Sequence, residues 1–460
     1  MSAVAEQSIV QIKLSQVISA LSYALDITEG QPQGHAARTC MLGMRIAQEI
    51  HLGPDESSAL FYALLLKDLG CSNNSAKMCY LFGSDDRITK REAKTINWVS
   101  TFKSLGYVIR NISRGKSTID KIQHFARIVR GGQREAKSLV ELRCERGAAI
   151  ARELEFPDLT AAAIRNLDEH WDGHGHPDGL SGAQIPLLAR VLSIAQTAEV
   201  FVSGFGLEVA CEMARGRSGT WFDPELVRVF LNIKNDREFW KRFHSEKPAG
   251  ATATFEPGDR VLIADESQLD RIAQGFSKVI DAKSPWTFRH SEGVAKIAAG
   301  IAELMGYSAQ EVRYIRRAAL LHDIGKLGIS NLILDKPGKL TPDELTVMRR
   351  HALYTQQILS HVDGFKDLAD LAASHHERLD GKGYHRGLTV NQLSAPARIL
   401  CVADIYEALT AKRPYRQDLT DEQVTTILAR NLTGGICPAV YEVLQSYLAR
   451  GGYSPEQIAA

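Results

Sequence analysis

Four stretches of the first half of this 460-residue chain recur in the second half. No other feature restricts the fold as much. Leu25-Asp26 with His35 returns as Ile280-Asp281 with His290, 255 residues on. Leu65-Leu66-Lys67-Asp68-Leu69-Gly70 returns at the same spacing as Leu320-Leu321-His322-Asp323-Ile324-Gly325. Asp172-Gly173-His174-Gly175-His176 returns as Asp380-Gly381-Lys382-Gly383-Tyr384, and Ala189-Arg190-Val191-Leu192 as Ala397-Arg398-Ile399-Leu400, now 208 residues on. The change of spacing gives the first copy 47 extra residues between Asp68 and about Arg143. They include a polar, basic stretch at about 86–137, which reads as a solvated helical face. A repeated unit must fold twice by one plan. The chain therefore reads as two domains, 1–250 and 258–460, joined across Asn235 to Pro257, which is charged and then rich in Pro, Gly, Ala and Thr.

Both units read as all-α helical bundles. Leu269, Ile272, Phe276, Val279 and Ile280 recur at helical spacing. Val312, Ile315, Ala318 and Leu321 lead into His322 in the same way. Thr341-Pro342-Asp343-Glu344 is a helix start: a capping residue, proline in the first turn, then acids against the dipole. Strand patterns are scarce, and Asp259 to Asp265 is the best candidate. Net charge is +1, so no broad field for a nucleic-acid polymer is expected. No apolar run reaches the roughly 18 residues of a membrane span, and the first residues lack a signal-peptide pattern. Seven scattered cysteines suit reduced thiols in a cytoplasm.

His322-Asp323 lies in an apolar run. Burying a carboxylate there costs several kcal/mol, on the order of 3–5, unless a partner is supplied. Half of the fourteen histidines fall between His290 and His385. His290, His322, His351, His375 and His376, with Asp323 and Asp404, form a mixed imidazole and carboxylate set. Such a set suits Fe, Mn or Zn better than Ca or Mg. Seven ligands exceed the needs of one ion and suit two ions sharing a carboxylate.

These residues stand in an ordered series of motifs. It runs from His290 through His322-Asp323-Ile-Gly-Lys326, His351, His375-His376-Glu377-Arg-Leu-Asp380-Gly-Lys-Gly383-Tyr384 and Arg398-Ile-Leu-Cys-Val-Ala-Asp404 to Arg413-Pro-Tyr-Arg416. The series resembles HD-GYP domains of the HD superfamily of metal-dependent phosphohydrolases. The resemblance implies two tandem HD-type bundles, the second with the HD-GYP extension. It also implies hydrolysis of cyclic di-GMP to the linear dinucleotide, or on to GMP, by a hydroxide shared between two Fe or Mn ions. Two alternatives stay open: a 3′,3′-cyclic GMP-AMP phosphodiesterase, and a non-catalytic receptor or adaptor for a cyclic dinucleotide. By the resemblance Asp323 bridges the ions. His290, His322 and Asp404 complete one side, and His351, His375 and His376 the other. Lys326, four residues beyond His322 on the same helix face, meets the scissile phosphate. Tyr384, Arg413 and Arg416 contact substrate.

Two departures stand out. Gly-Tyr-Pro reads Gly383-Tyr384-His385, with His385 expected as a solvated loop residue. Trp286 occupies the position of a glutamate that binds a third metal in some members, so two metals and a core tryptophan are expected. The first copy keeps His35 and Asp68 but has Lys67, Arg143, Leu167, Asp168 and Gln196 in place of the other ligands. It reads as a degenerate copy with a structural or regulatory role, through which a homodimer or a signalling protein would dock. His170, His174 and His176 offer a weaker metal reading. His51, His124, His244 and His361 read as surface or partly buried, and Cys401 as core.

Overall fold

A computed structural model describes residues 12–453 apart from 97–100, 114–116, 246–251, 253, 258–261, 288, 363 and 412–418. Every named regular element among the described residues is a helix. Thr341 and Glu344 cap each other reciprocally and start the helix Pro342–Leu359. Asp265 and Gln268 do the same for Glu266–Asp281, whose periodic Leu269, Ile272, Phe276, Val279 and Ile280 are all buried. The short strand expected at Asp259 to Asp265 is not formed in its described part. Ile263 makes one antiparallel bridge with Lys13, and a single rung is all that two short extended ends can pair.

The two halves repeat local geometry. Asp26 accepts hydrogen bonds from the Gly34 and Ala36 amides at 3.0 and 2.9 Å. Asp281 accepts from the Ser291 amide and hydroxyl at 3.2 and 2.7 Å. Each carboxylate fixes the start of the helix that follows, His35–Glu49 or His290–Leu304. A Cβ on Gly70 would lie 1.9 Å from the Arg143 carbonyl oxygen, and one on Gly325 1.9 Å from that of His351. Only glycine permits either approach. Asp172 bridges to Ser181 as Asp380 does to Thr389.

One buried apolar cluster runs through both halves, from Leu14 to Tyr453. The basic stretch at 86–137 is not simply a solvated face. Its helix Asp86–Ala93 turns Asp86, Thr89 and Lys90 inward. Lys90 and Lys94 reach Glu29 at 3.3 and 3.2 Å, because buried carboxylates beneath the helix need cations. Asp86 pairs with Lys283 of the second half at 2.6 Å, both fully buried. The helix Leu187–Phe205 is long and apolar enough to cross a membrane, but 67% of its apolar window is buried inside the protein, where it packs as core.

Candidate metal centre

Five segments deliver the seven expected ligands. His290 opens the helix His290–Leu304, and His322 caps the end of Ala309–Leu321. His351 lies on Pro342–Leu359, His375 and His376 follow Lys366–Ala372, and Asp404 lies on Ala395–Thr410. All seven side chains converge. Asp323 Oδ2 lies 3.5 Å from His290 Nε2 and 3.3 Å from His322 Nε2. Its other oxygen, Oδ1, lies 3.6 Å from both His351 Nε2 and His375 Nε2. Asp404 faces His290 at 3.3 Å, His322 at 3.7 Å and His376 at 3.7 Å. Among the seven, two triads that share no residue have mutually close donor atoms: His290, His322 and Asp404, and His351, His375 and His376. Asp323 lies between them with one oxygen toward each set.

The imidazoles are held with their lone pairs inward. Nδ1 of His322, His351 and His375 each meets the carbonyl three residues earlier, at 2.6, 2.7 and 2.7 Å. A carbonyl only accepts, so Nδ1 carries the proton and Nε2 is left as a donor atom for a metal. Burial, with His376 close by, holds His351 down to about 3. Burial likewise holds His376 to about 4, which keeps both rings neutral. Burial works to raise Asp323, but Lys326 and His322 overcome it and hold the carboxyl well below its ordinary range. His322 Nε2 and Asp323 Oδ1 are buried atoms with no hydrogen-bond partner. Such orphans need an explanation, and one cation at each histidine set would satisfy them, His322 Nε2 in the first and Asp323 Oδ1 in the second. The donor set therefore fits a pair of divalent ions.

Lys326 is not on the helix face of His322. The helix ends at Leu321, and a 3-10 turn, Ile324–Gly328, follows. The close approach of Gly325 to the His351 carbonyl forces that break, and the tighter turn lays the Lys326 ammonium on Asp323 Oδ2. The Tyr384 ring stands 4.8 Å from that of His376, and the Arg349 guanidinium lies 5.3 Å from the centroid of the Tyr384 ring. Arg413 and Arg416 lie outside the described residues. His385 is half-buried, not solvated, because Gln356 Oε1 takes its Nε2 at 2.9 Å. Trp286 is partly exposed and not in the core. Cys401 is buried as expected, its thiol directed to the Ser374 carbonyl at 3.2 Å. His170 stacks on Trp221 at 4.2 Å while His174 is exposed, so with His176 they make no converging triad among the described residues.

Sequence reasoning missed Glu407, Thr355 and Arg349. Glu407 hydrogen-bonds His290 Nδ1, as Glu199 does His35 Nδ1. A glutamate three residues after Asp404, and again three after Gln196, was a readable sign. Thr355 ties the His322 carbonyl at 2.8 Å to the Gly325 amide at 3.0 Å. A Glu407→Gln variant is expected to bind metal about 10–100-fold more weakly, read by competition with a chelator, because His290 loses its orienting carboxylate.

Two of the same positions in the first half, those of His322 and His351, are filled by cations of the chain, Lys67 and Arg143. The Lys67 ammonium sits on Asp68, and Lys94 adds a second contact at 3.4 Å. Arg143 pairs with Asp168.

A family model described as the HD domain matches residues 130–226 and 274–433. The chain belongs to the HD domain family. Over 95% of its length this HD domain protein is 40% identical to the 3′3′-cGAMP-specific phosphodiesterase 3 of Vibrio cholerae, covering 94% of that protein. The crystal structure of a cyclic GMP-AMP specific phosphodiesterase of V. cholerae (V-cGAP3) superposes with a TM-score of 0.65 at 36% identity, over 95% of this chain and 98% of that one. A cyclic di-GMP phosphodiesterase of Thermotoga maritima is 44% identical over 33% of this chain and 42% of its own. HD domain proteins are metal-dependent, and the triads give this one candidate metal-binding clusters.

Proposed function

We propose that the protein is a metal-dependent phosphodiesterase that hydrolyses a cyclic dinucleotide, with 3′,3′-cyclic GMP-AMP as its substrate. The observation that carries the reaction class is Asp323, which turns one carboxylate oxygen to each histidine set. His290, His322 and Asp404 would hold one ion, and His351, His375 and His376 the other, with Asp323 shared and Fe or Mn the metals. When bound, such ions supply Lewis acidity and acidify water.

The chain's own groups do the rest. Lys326, already against Asp323, would hold a non-bridging phosphate oxygen, and Tyr384 would pack along the bound dinucleotide. The preference for the mixed dinucleotide rests on the relative of matching length. Cyclic di-GMP, the first expectation from the motifs, is the second reading, favoured by relatives that share about a third of the chain.

Residues 258–460 are read as the catalytic copy and 1–250 as its degenerate counterpart, with a structural or regulatory role. The ammonium on Asp68 and the Arg143–Asp168 pair support this, since side-chain cations there oppose metal ions. The seven cysteines, which form no disulfide, fit a reducing cytoplasm.

The test is turnover. Purified protein loaded with Fe(II) or Mn(II) without oxygen is incubated with each cyclic dinucleotide, and the products are resolved. Faster cleavage of 3′,3′-cyclic GMP-AMP is expected. A preference for cyclic di-GMP would select the second reading, and tight binding without cleavage would select a receptor.

A further inference from the structure

On the second half, the helices Glu266–Asp281, His290–Leu304, Ala309–Leu321 and Pro438–Ala449 border an open groove of about 1020 Å³. It is large enough for a nucleotide-sized ligand. Its floor is apolar. Ala299, Gly300, Val312 and Leu320 form it, and the Tyr447 ring lies so close to Gly300 that a Cβ there would stand 2.2 Å from it. Its walls carry Arg289, Lys296, Arg313 and Arg316 against the acids Glu292 and Glu303, with Tyr307 beside them. Arg313 is shared with Asp270 at 2.7 Å. Arg316 donates to the Gln274 side chain at 3.2 Å and has no carboxylate within ion-pair reach among the described residues. Apolar residues lined with tyrosines suit a base, and planar guanidinium groups beside them suit phosphate.

The two long walls also lead to the metal centre. One helix begins at His290, directly after the lining residue Arg289, and the other ends at Leu321, directly before His322. A ligand drawing these helices together acts on two ligands of the same triad.

We propose that this groove is a second nucleotide site, which binds a phosphate-bearing nucleotide and tunes the metal affinity of the His290, His322 and Asp404 triad. The tuning rests on the metal reading of that triad; the binding does not.

The experiment uses the full chain with Asp323→Ala, so that binding at the metal centre is disabled. It is titrated calorimetrically with 5′-GMP, 5′-AMP and 3′,3′-cyclic GMP-AMP. One saturable site per chain is expected for at least one of them, weakened at least tenfold by Arg313→Glu with Arg316→Glu. Arg316→Glu alone, which breaks no ion pair, is expected to weaken it at least threefold and serves if the double variant does not fold. No binding at millimolar nucleotide, or binding indifferent to Arg316→Glu, would overturn the site. In the otherwise unaltered protein, saturating nucleotide is expected to shift Mn(II) affinity at least threefold, and the Arg316→Glu variant to lose the shift. Nucleotide binding without that shift would overturn the coupling alone, whereas failure of the protein to hold metal at all would count against the metal centre.

Discussion

An Asp323→Ala variant is expected to lose more than about 10³-fold in turnover and to retain less than one metal per chain. Removing a group that merely orients a ligand costs about 10–100-fold. Asp323 is placed to do more, since its two oxygens face the two histidine sets at 3.3 to 3.6 Å. Without it the two ions would have no shared anion, and of the carboxylates against the imidazole cluster Asp404 and the more remote Glu407 would remain to offset their charge. The unaltered protein should hold two ions, not four, because Lys67 and Arg143 take the corresponding places in the first half. Elemental analysis and single-turnover kinetics on the same preparations check both numbers. Turnover within tenfold of the unaltered protein would remove Asp323 from the site.

Much of this site was legible because metal chemistry restricts residue types. An imidazole beside a carboxylate in an apolar run has few uses, and the repeat supplied a control, since Lys67-Asp68 occupies the same place without the histidine. Helix starts were legible for a similar reason: Thr341 to Glu344 satisfies its own backbone donors locally. What the sequence hid depends on partners far along the chain. The turn at Lys326 follows from the contact between Gly325 and a carbonyl 26 residues on. The burial of Lys90 and Lys94 follows from Glu29 and Asp68, which composition counts only as acids. A charged stretch looks solvated until its counter-charges are located in space.

The same stretch ties the halves together, and its removal should be costly. An Asp86→Ala variant is expected to lose about 3–5 kcal/mol of stability, because it strands the Lys283 ammonium in the core. Burial already draws Lys283 below its ordinary pKa, and Asp86 is the first group that offsets this. Asp86 also accepts the Asn331 amide at 3.0 Å, at the start of the helix that follows the Lys326 turn. Beside it Arg87 donates to the Gly328 carbonyl at 2.6 Å, the last residue of that turn. These two roles separate experimentally. Pairing Asp86→Leu with Lys283→Met removes both charges, and replacing a buried ion pair by apolar groups is often close to neutral. The double variant should therefore recover most of the loss. About 1 kcal/mol should remain, the usual cost of a lost helix cap. Urea midpoints of the unaltered protein, the two single variants and the double variant close the cycle. A loss below about 1 kcal/mol in Asp86→Ala would mean that the pair is not buried between the halves in solution.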